Sequence, residues 1–392
     1  MHALDIGGEG RRVSTLGTSV AVLPRAAIDV VQLRRRALWV LLTAKVLGSW
    51  GLVWDIRWHL TIGRDSFWIP PHLLTYFAVT VVALVSFGVL AVETWRARDG
   101  AISPGAVRIG GLAGTRGFHL AAWGIALTLA AAPIDDLWHR LFGIDVTLWS
   151  PPHLLGLAGG QLNALGCLAI ALEVPMARRT RLAALALAGA HLLGSLEVVA
   201  DPALQLAFVN GHRLFFAWAV LGALLFTFPL MLSARLARMR AFPLIVAGGA
   251  LVLYLVASAV AHIGLTVIRP TPAIEEAIAA DPSSPIAIAH AMARVGREKT
   301  PGRADVLRWF TLVSAIALVA ADARRRTVRT AIAFAAALVL VSGMSLMRAP
   351  VFAHARPDAS DIVIALVLAS LGAVASAWAA AALGARLASP TS

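Results

Sequence analysis

The sequence predicts an all-α protein, a polytopic integral membrane helix bundle with about ten transmembrane helices. Of its 392 residues, 59% are hydrophobic and 14% are charged, whereas soluble domains contain roughly half and a quarter. The mean hydropathy of +0.79 agrees with this imbalance. A soluble fold of this size cannot bury so much apolar surface, and a single cysteine, Cys167, excludes a disulfide scaffold.

Ten apolar segments follow one another along the chain, and each has about the 20 residues that a helix needs to cross a bilayer core of roughly 30 Å. They lie near 37–55, 71–95, 117–136, 152–176, 182–200, 213–234, 242–268, 305–322, 328–347 and 361–385.

These segments divide the chain into four parts. An N-terminal arm is followed by a seven-helix membrane core, then by an outer connection, and finally by three C-terminal membrane helices. The corresponding ranges are 1–36, 37–268, 269–304 and 305–392.

Arginines concentrate in alternate connections between the apolar segments, for example at Arg34–Arg36, Arg178–Arg181 and Arg324–Arg326. Short cytoplasmic loops of membrane proteins carry such an excess of positive charge. The pattern therefore predicts that both termini are cytoplasmic. It also accounts for the net charge of +13 without a nucleic-acid partner.

Two connections on the opposite, outer side repeat one motif. Residues 54–72 read WDIRWHLTIGRDSFWIPPH, and residues 135–153 read DDLWHRLFGIDVTLWSPPH. Both contain a Trp-His pair and end in Pro-Pro-His. Because each copy comprises two helices, we expect helices 1–2 and 3–4 to form a parallel repeat about an axis along the membrane normal.

Each copy of the motif brings together one carboxylate and two imidazoles. Asp55 and His59 are four residues apart, so they share a helix face, and His72 opens the next helix directly after two prolines, which suit a first helical turn. Asp135, His139 and His153 repeat this pattern. Imidazole with carboxylate favours copper, zinc or iron, although the same residues could simply tie the loops together.

Further polar residues are secondary candidates. Asp65 and Asp145 are predicted to orient an imidazole through its second nitrogen. A weaker third copy of the motif consists of Glu197, Asp201, Asn210 and His212. His191 and His262 are ionisable groups inside the membrane, and such groups usually have a function.

The first copy resembles a known metal-binding segment. Asp55-x3-His59-x12-His72, with Trp58 and Arg64-Asp65 between the ligands, resembles the C subunit of the copper membrane monooxygenases that oxidise methane and ammonia. The resemblance implies copper bound by Asp55, His59 and His72, partner membrane subunits and a small apolar substrate.

This resemblance is confined to residues 54–77, with a looser likeness in the layout of helices 1–6. The family has an additional Asn-x3-His pair, for which the nearest candidate here is Asn210-x-His212. The second copy of the motif is not a family feature, and helices 7–10 have no counterpart.

Three main functions remain open at this point, and a haem protein is a weaker fourth, because paired axial histidines normally face a haem inside the bundle and these lie at its edge. The first is a copper-dependent membrane oxidoreductase, or a subunit of one. The second is a non-enzymatic protein that binds or transports metal ions, and the third is a structural role for well-tied outer loops. The duplication favours the second function, since a monooxygenase subunit needs one site only.

Overall fold

The fold is taken from a computed structural model. It describes residues 29–62, 67–99, 102–142, 148–210, 216–268, 272–285, 287–288, 290–291, 306–348 and 356–388. The predicted N-terminal arm as far as residue 28 lies outside this range, as do Asp65, Asp145 and His212.

The all-α class is confirmed, since the described residues form eleven α-helices and one small β-hairpin. The elements are α1 (Val30–Thr61), α2 (Pro70–Arg96), β1 (Ala106–Ile109), β2 (Leu112–Thr115), α3 (Arg116–Phe142), α4 (Pro151–Glu173), α5 (Arg178–Asn210), α6 (Ala217–Ala237), α7 (Phe242–Val267), α8 (Pro272–Ala280), α9 (Val306–Ala320), α10 (Val328–Arg348) and α11 (Ala359–Ala388).

The described residues account for the ten predicted membrane spans with eight long helices and two shorter apolar ones. Among the described residues, eight helices, α1–α7 and α11, are long and apolar enough to cross a membrane, so the chain is a multi-pass membrane protein. The other two predicted spans are shorter apolar stretches, α9 and Val328–Met344 within α10. With its 15 residues, α9 is about 22 Å long at 1.5 Å per residue, which is less than the hydrocarbon thickness of about 30 Å.

The first helix begins earlier than its apolar segment. Asp29 caps α1 by accepting hydrogen bonds from the backbone N–H groups of Val31 and Gln32, so the last residues of the predicted arm are helical. Arg34 then donates to the Glu93 carboxylate on α2, with Nε 2.8 Å from Oε1. This buried ion pair joins α1 and α2 at the end opposite the two motif loops.

A β-hairpin between α2 and α3 was not expected from the sequence. Its two strands are antiparallel: Ala106 pairs with Thr115 at one end, and Ile109 pairs with Leu112 next to the turn. The turn between them is Gly110-Gly111, with φ values of 57° and 81°, a backbone region that glycine adopts without strain. A Gly-Gly pair between two short strands is a recognised hairpin signal.

Helices α3 and α4 approach closely along a line of glycines. A Cβ atom at Gly124 would lie 2.5 Å from the backbone nitrogen of Asn163, and one at Gly166 would lie 2.6 Å from that of Ala121. Small residues allow such close contact between helices in membranes. Asn163 on α4 donates to the carbonyl oxygen of Ala121 on α3 and accepts a hydrogen bond from Lys45 Nζ on α1. These two bonds join α1, α3 and α4.

Candidate metal centres

The local structure of each motif is the same. Asp55 and His59 lie in the last two turns of α1, and His72 follows Pro70-Pro71 in the first turn of α2. In the second copy, Asp135 and His139 lie near the end of α3, and His153 follows the two prolines that begin α4. Each histidine-bearing first turn therefore faces the end of the preceding helix.

One small residue in each copy allows these helix ends to approach. Gly51 on α1 lies directly against Thr75 on α2, one helical turn from the first cluster. The equivalent positions in the second copy are Ala131 and Gly156, which also face each other: a Cβ at Gly156 would lie 3.5 Å from that of Ala131. The glycine lies on the first helix of the first hairpin and on the second helix of the second hairpin, and the two helices are in contact at this level in both copies.

The first cluster, which we call site 1, consists of Asp55, His59 and His72. Asp55 Oδ1 lies 3.3 Å from His59 Nδ1 and 2.9 Å from His72 Nε2. The two rings are tilted, with centroids 5.8 Å apart. One ligand atom from each residue lies within 4.8 Å of the others, so the three could hold a shared metal ion.

The second cluster, site 2, consists of Asp135, His139 and His153 and has the same arrangement with slightly larger separations. Asp135 Oδ2 lies 3.7 Å from His139 Nδ1, and Asp135 Oδ1 lies 3.4 Å from His153 Nε2. The ring centroids are 6.4 Å apart, and the three ligand atoms again lie within 4.8 Å of one another. All six predicted ligands therefore converge in two sets of three.

The spacing within both sites fits a transition metal. Two ligand atoms about 2.05 Å from one ion are about 2.9 Å apart at a right angle and about 3.3 Å apart at the tetrahedral angle. The Asp55–His72 distance of 2.9 Å and the Asp135–His153 distance of 3.4 Å lie close to this range. His139 Nδ1, at 3.7 Å from Asp135, lies outside it. His59 Nδ1 is 3.3 Å from the Asp55 carboxylate but also 2.9 Å from the backbone oxygen of Asp55.

A second observation concerns one oxygen atom in each site. Oδ1 of Asp55 and Oδ1 of Asp135 are buried, and among the described residues neither accepts a hydrogen bond of normal geometry. A buried polar atom without a hydrogen bond costs free energy. A bound cation would satisfy both oxygens, so the residues present fit a metal.

The orientation of His72 depends on a backbone carbonyl that the motif does not reveal. Phe67 O lies 3.0 Å from His72 Nδ1 and accepts a hydrogen bond from the hydroxyl of Tyr76 at 3.3 Å. A ligating histidine commonly donates its other N–H in this way, which leaves Nε2 facing Asp55. Nothing in the spacing of the motif predicts this role for Phe67.

The two sites differ in the residues around the histidine of the second helix. Leu157 occupies the position in α4 that corresponds to Tyr76 in α2, so site 2 lacks this hydroxyl. The side chain of His153 is 33% exposed, compared with 15% for His72. The other histidine shows the reverse, since the side chain of His59 is 25% exposed and that of His139 is 11% exposed. The two sites are therefore enclosed to a similar degree.

The third copy of the motif has a different environment. Glu197 on α5 is buried, and its Oε2 lies 3.4 Å from Nε of Arg308 on α9. The Arg308 guanidinium also lies over the ring of Tyr254, 3.6 Å from its centroid. Within the described part of the chain, Glu197 and Asp201 join no third cluster of metal-ligating residues; the side chain of Asn210 and all of His212 lie outside it.

The two intramembrane histidines lie in contrasting places. His191 on α5 is buried, with 8% of its surface exposed, and its Nε2 has no hydrogen-bond partner among the described residues. His262 is on the exposed surface of α7. Neither belongs to site 1 or site 2.

Comparison with known proteins gives no relative. No protein-family model, no curated protein and no solved structure matches the chain. The resemblance to the copper monooxygenase subunit therefore depends on the motif residues alone.

Proposed function

We propose that this multi-pass membrane protein binds transition-metal ions at site 1 and site 2. Copper is the first choice, and zinc and iron are the alternatives, because all three accept imidazole nitrogen together with carboxylate oxygen. The observation that carries the proposal is the duplicated geometry. Two segments of different sequence retain the same Asp-His-His convergence and the same helix contact beneath it.

The alternative of loop-tying residues explains the site less well. The hydrogen bond from His72 Nδ1 to Phe67 O directs Nε2 at Asp55 Oδ1, 2.9 Å away. If the ring is neutral, two lone pairs face each other unless a cation lies between them. A protonated ring would donate to the carboxylate across the same contact, which is the loop-tying arrangement. We prefer the metal because the same convergence of one carboxylate and two imidazoles occurs twice. A metal ion satisfies both groups.

We further propose that the chain is an oxidoreductase of the copper membrane monooxygenase type, or a subunit of one. The motif Asp55-x3-His59-x12-His72 supports this proposal, as does a ligand set of three, which leaves coordination positions open. Copper in such a site would supply the redox chemistry for dioxygen. The role of the protein side chains would be to bind the ion and hold it at the end of the bundle, where a small apolar substrate can arrive from the bilayer.

A second candidate is a non-enzymatic metal-binding or metal-transporting protein, which the presence of two equivalent sites favours. Passage of a cation through the bundle is opposed by Lys45, which lies ten residues before Asp55 on α1, or about 15 Å along the helix. Its ammonium group donates to Gly160 O and to Asn163 Oδ1. Storage or delivery of an ion at the outer end agrees better with this arrangement.

Spectroscopy of the copper-loaded protein tests the proposed ligands. X-ray absorption at the copper edge should show imidazole nitrogen and oxygen ligands in the wild type. Imidazole scattering should decrease in His72→Ala. The scattering that remains should decrease further when His153→Ala is added, which assigns it to site 2. A spectrum that neither substitution changes would contradict the assignment. Oxygen consumption by the loaded protein with a short alkane distinguishes the oxidoreductase from the non-enzymatic alternative.

A further inference from the structure

A concentration of arginines lies at the opposite end of the bundle from the metal centres. It is formed by the end of α6, the α6–α7 connection and the α9–α10 connection. Between residues 235 and 240, and between residues 321 and 329, the chain has seven arginines and only one acidic residue, Asp322. The arginines are Arg235, Arg238, Arg240, Arg324, Arg325, Arg326 and Arg329.

Four of these side chains line one cavity that is open to the surface. Arg235, Arg238, Arg324 and Arg325 line a space of about 310 Å³. Like charges that converge in this way repel one another unless an anion lies between them. Asp322 cannot neutralise the set, because its carboxylate is engaged with Arg324 in two hydrogen bonds of 2.8 and 2.9 Å.

Three of the arginines, Arg235, Arg240 and Arg324, are held in place by contacts within the protein. Arg235 Nη2 donates to Thr327 Oγ1 at 2.8 Å, while its buried Nε has no partner among the described residues. Arg240 donates to the carbonyl oxygens of Val319 and Ala320 at the end of α9. Arginines that only set membrane orientation need no such cavity or fixed contacts.

We propose that this cavity is a binding site for a phosphate-bearing anion. The planar guanidinium group matches phosphate oxygens in a bidentate manner, and the four side chains come from two connections that would otherwise repel each other. The site lies where α6, α7, α9 and α10 begin or end, and we expect the ends of membrane helices to lie near lipid headgroups. Basic pockets between membrane helices bind the headgroups of anionic lipids, while soluble phosphate would use the same groups.

Native mass spectrometry of the full-length protein in detergent, with added phosphatidylglycerol or phosphatidylcholine, tests this site. The double variant Arg238→Gln/Arg325→Gln removes two exposed side chains and leaves the bonds of Arg235, Arg240 and Arg324 unchanged. It should bind phosphatidylglycerol about tenfold more weakly or worse, since each arginine near an anionic group contributes severalfold. The control Arg178→Gln/Arg179→Gln makes the same charge change at exposed positions of α5.

Inorganic phosphate distinguishes the two sources of the anion. If phosphatidylglycerol binds and phosphate does not displace it, the ligand is a lipid headgroup. If phosphate alone binds in the wild type and is lost in the test variant, the ligand is soluble and the site stands. The proposal would be overturned if the test and control variants bound phosphatidylglycerol equally well. It would also be overturned if the wild type neither preferred phosphatidylglycerol over phosphatidylcholine nor bound phosphate.

Discussion

Nε2 of His72, in the first turn of α2, lies 2.9 Å from Oδ1 of Asp55, near the end of α1. The contact joins two helices across a loop of which Gly63–Ser66 lie outside the described residues. Its counterpart in the second hairpin, between His153 Nε2 and Asp135 Oδ1, measures 3.4 Å. Convergence at equivalent places in two hairpins is what a duplicated ion site requires, and it leads to the following predictions.

The close contact below site 1 predicts a specific effect of Gly51→Ala. The added Cβ would meet the hydroxyl of Thr75 and would lie 3.0 Å from the backbone nitrogen of Thr75 and 3.2 Å from Pro71 O. The helices must separate, at a cost of about 1–3 kcal/mol, and site 1 should lose its metal while site 2 retains it. Metal analysis in a His153→Ala background isolates site 1.

Gly88→Ala is the matched control for this substitution. Gly88 lies in the same helix pair, and a Cβ there would meet no atom within 4 Å. Its effect should be neutral or stabilising by up to about 1 kcal/mol, which is the helix-propensity gain over glycine. Equal metal content in the two variants would show that the Gly51–Thr75 contact does not position the site.

The buried pair of Glu197 and Arg308 predicts a loss of stability without a loss of metal. Glu197→Ala removes the carboxylate 3.4 Å from Nε of Arg308, whose side chain is 5% exposed, and removing one partner of a buried ion pair costs about 3–5 kcal/mol. Thermal unfolding in detergent should detect this loss, whereas Glu275→Ala at an exposed position of α8 should not change it. A fall in metal content would instead restore Glu197 as a ligand of a third site.

Metal binding should depend on pH, and the arginine cavity should not. Ligating imidazoles must be neutral, so protonation releases the ion, and metal content should fall between about pH 8 and pH 5, the range in which histidine changes charge. The Arg324 guanidinium lowers the pKa of Asp322 to about 2. The stability that the Asp322–Arg324 pair contributes is therefore fully present above the ordinary carboxyl pKa, and it is lost only as the pH falls through about 2.

Dialysis at stepped pH with circular dichroism checks this prediction, because metal release must precede any loss of helix. Metal retention at pH 5 that is equal in the wild type and in His72→Ala/His153→Ala would show that these histidines are not ligands. Phosphatidylglycerol binding measured on the same samples should stay constant across the range.

The orientation predicted from the arginines can be tested with single cysteines. A cysteine at Ser66 or Thr147, in the two motif loops, should react with an impermeant thiol reagent in whole cells, and one at Arg178 should react only after lysis. Native Cys167 is buried, so background labelling is low. The reverse pattern would place both metal centres on the cytoplasmic side.

Sequence reasoning predicted the contacts that depend on local rules. The i, i+4 spacing places His59 beside Asp55, and paired prolines start α2 and α4 so that His72 and His153 face the preceding helix ends. It also predicted both copies, because the Trp-His pair, a glycine, an aspartate and the final Pro-Pro-His recur in the same order.

The contacts it missed join residues that no local rule connects. Arg308 reaches Glu197 from a helix far along the chain, and its charge remains in an apolar environment because of that partner. Phe67 contributes a backbone carbonyl, which leaves no trace in side-chain patterns. The Gly110-Gly111 turn did carry a hairpin signal, but the arginine-rich loop around it was interpreted only through its charge.

Metal content per chain tests the central claim most directly. Elemental analysis of the full-length protein, purified in detergent and incubated with copper or zinc before exchange into metal-free buffer, should give two ions per chain, one for each cluster. His72→Ala and His153→Ala should each retain one ion, and the double variant should retain none. Wild-type protein that purifies without stoichiometric metal, and gains none from either copper or zinc, would contradict the account.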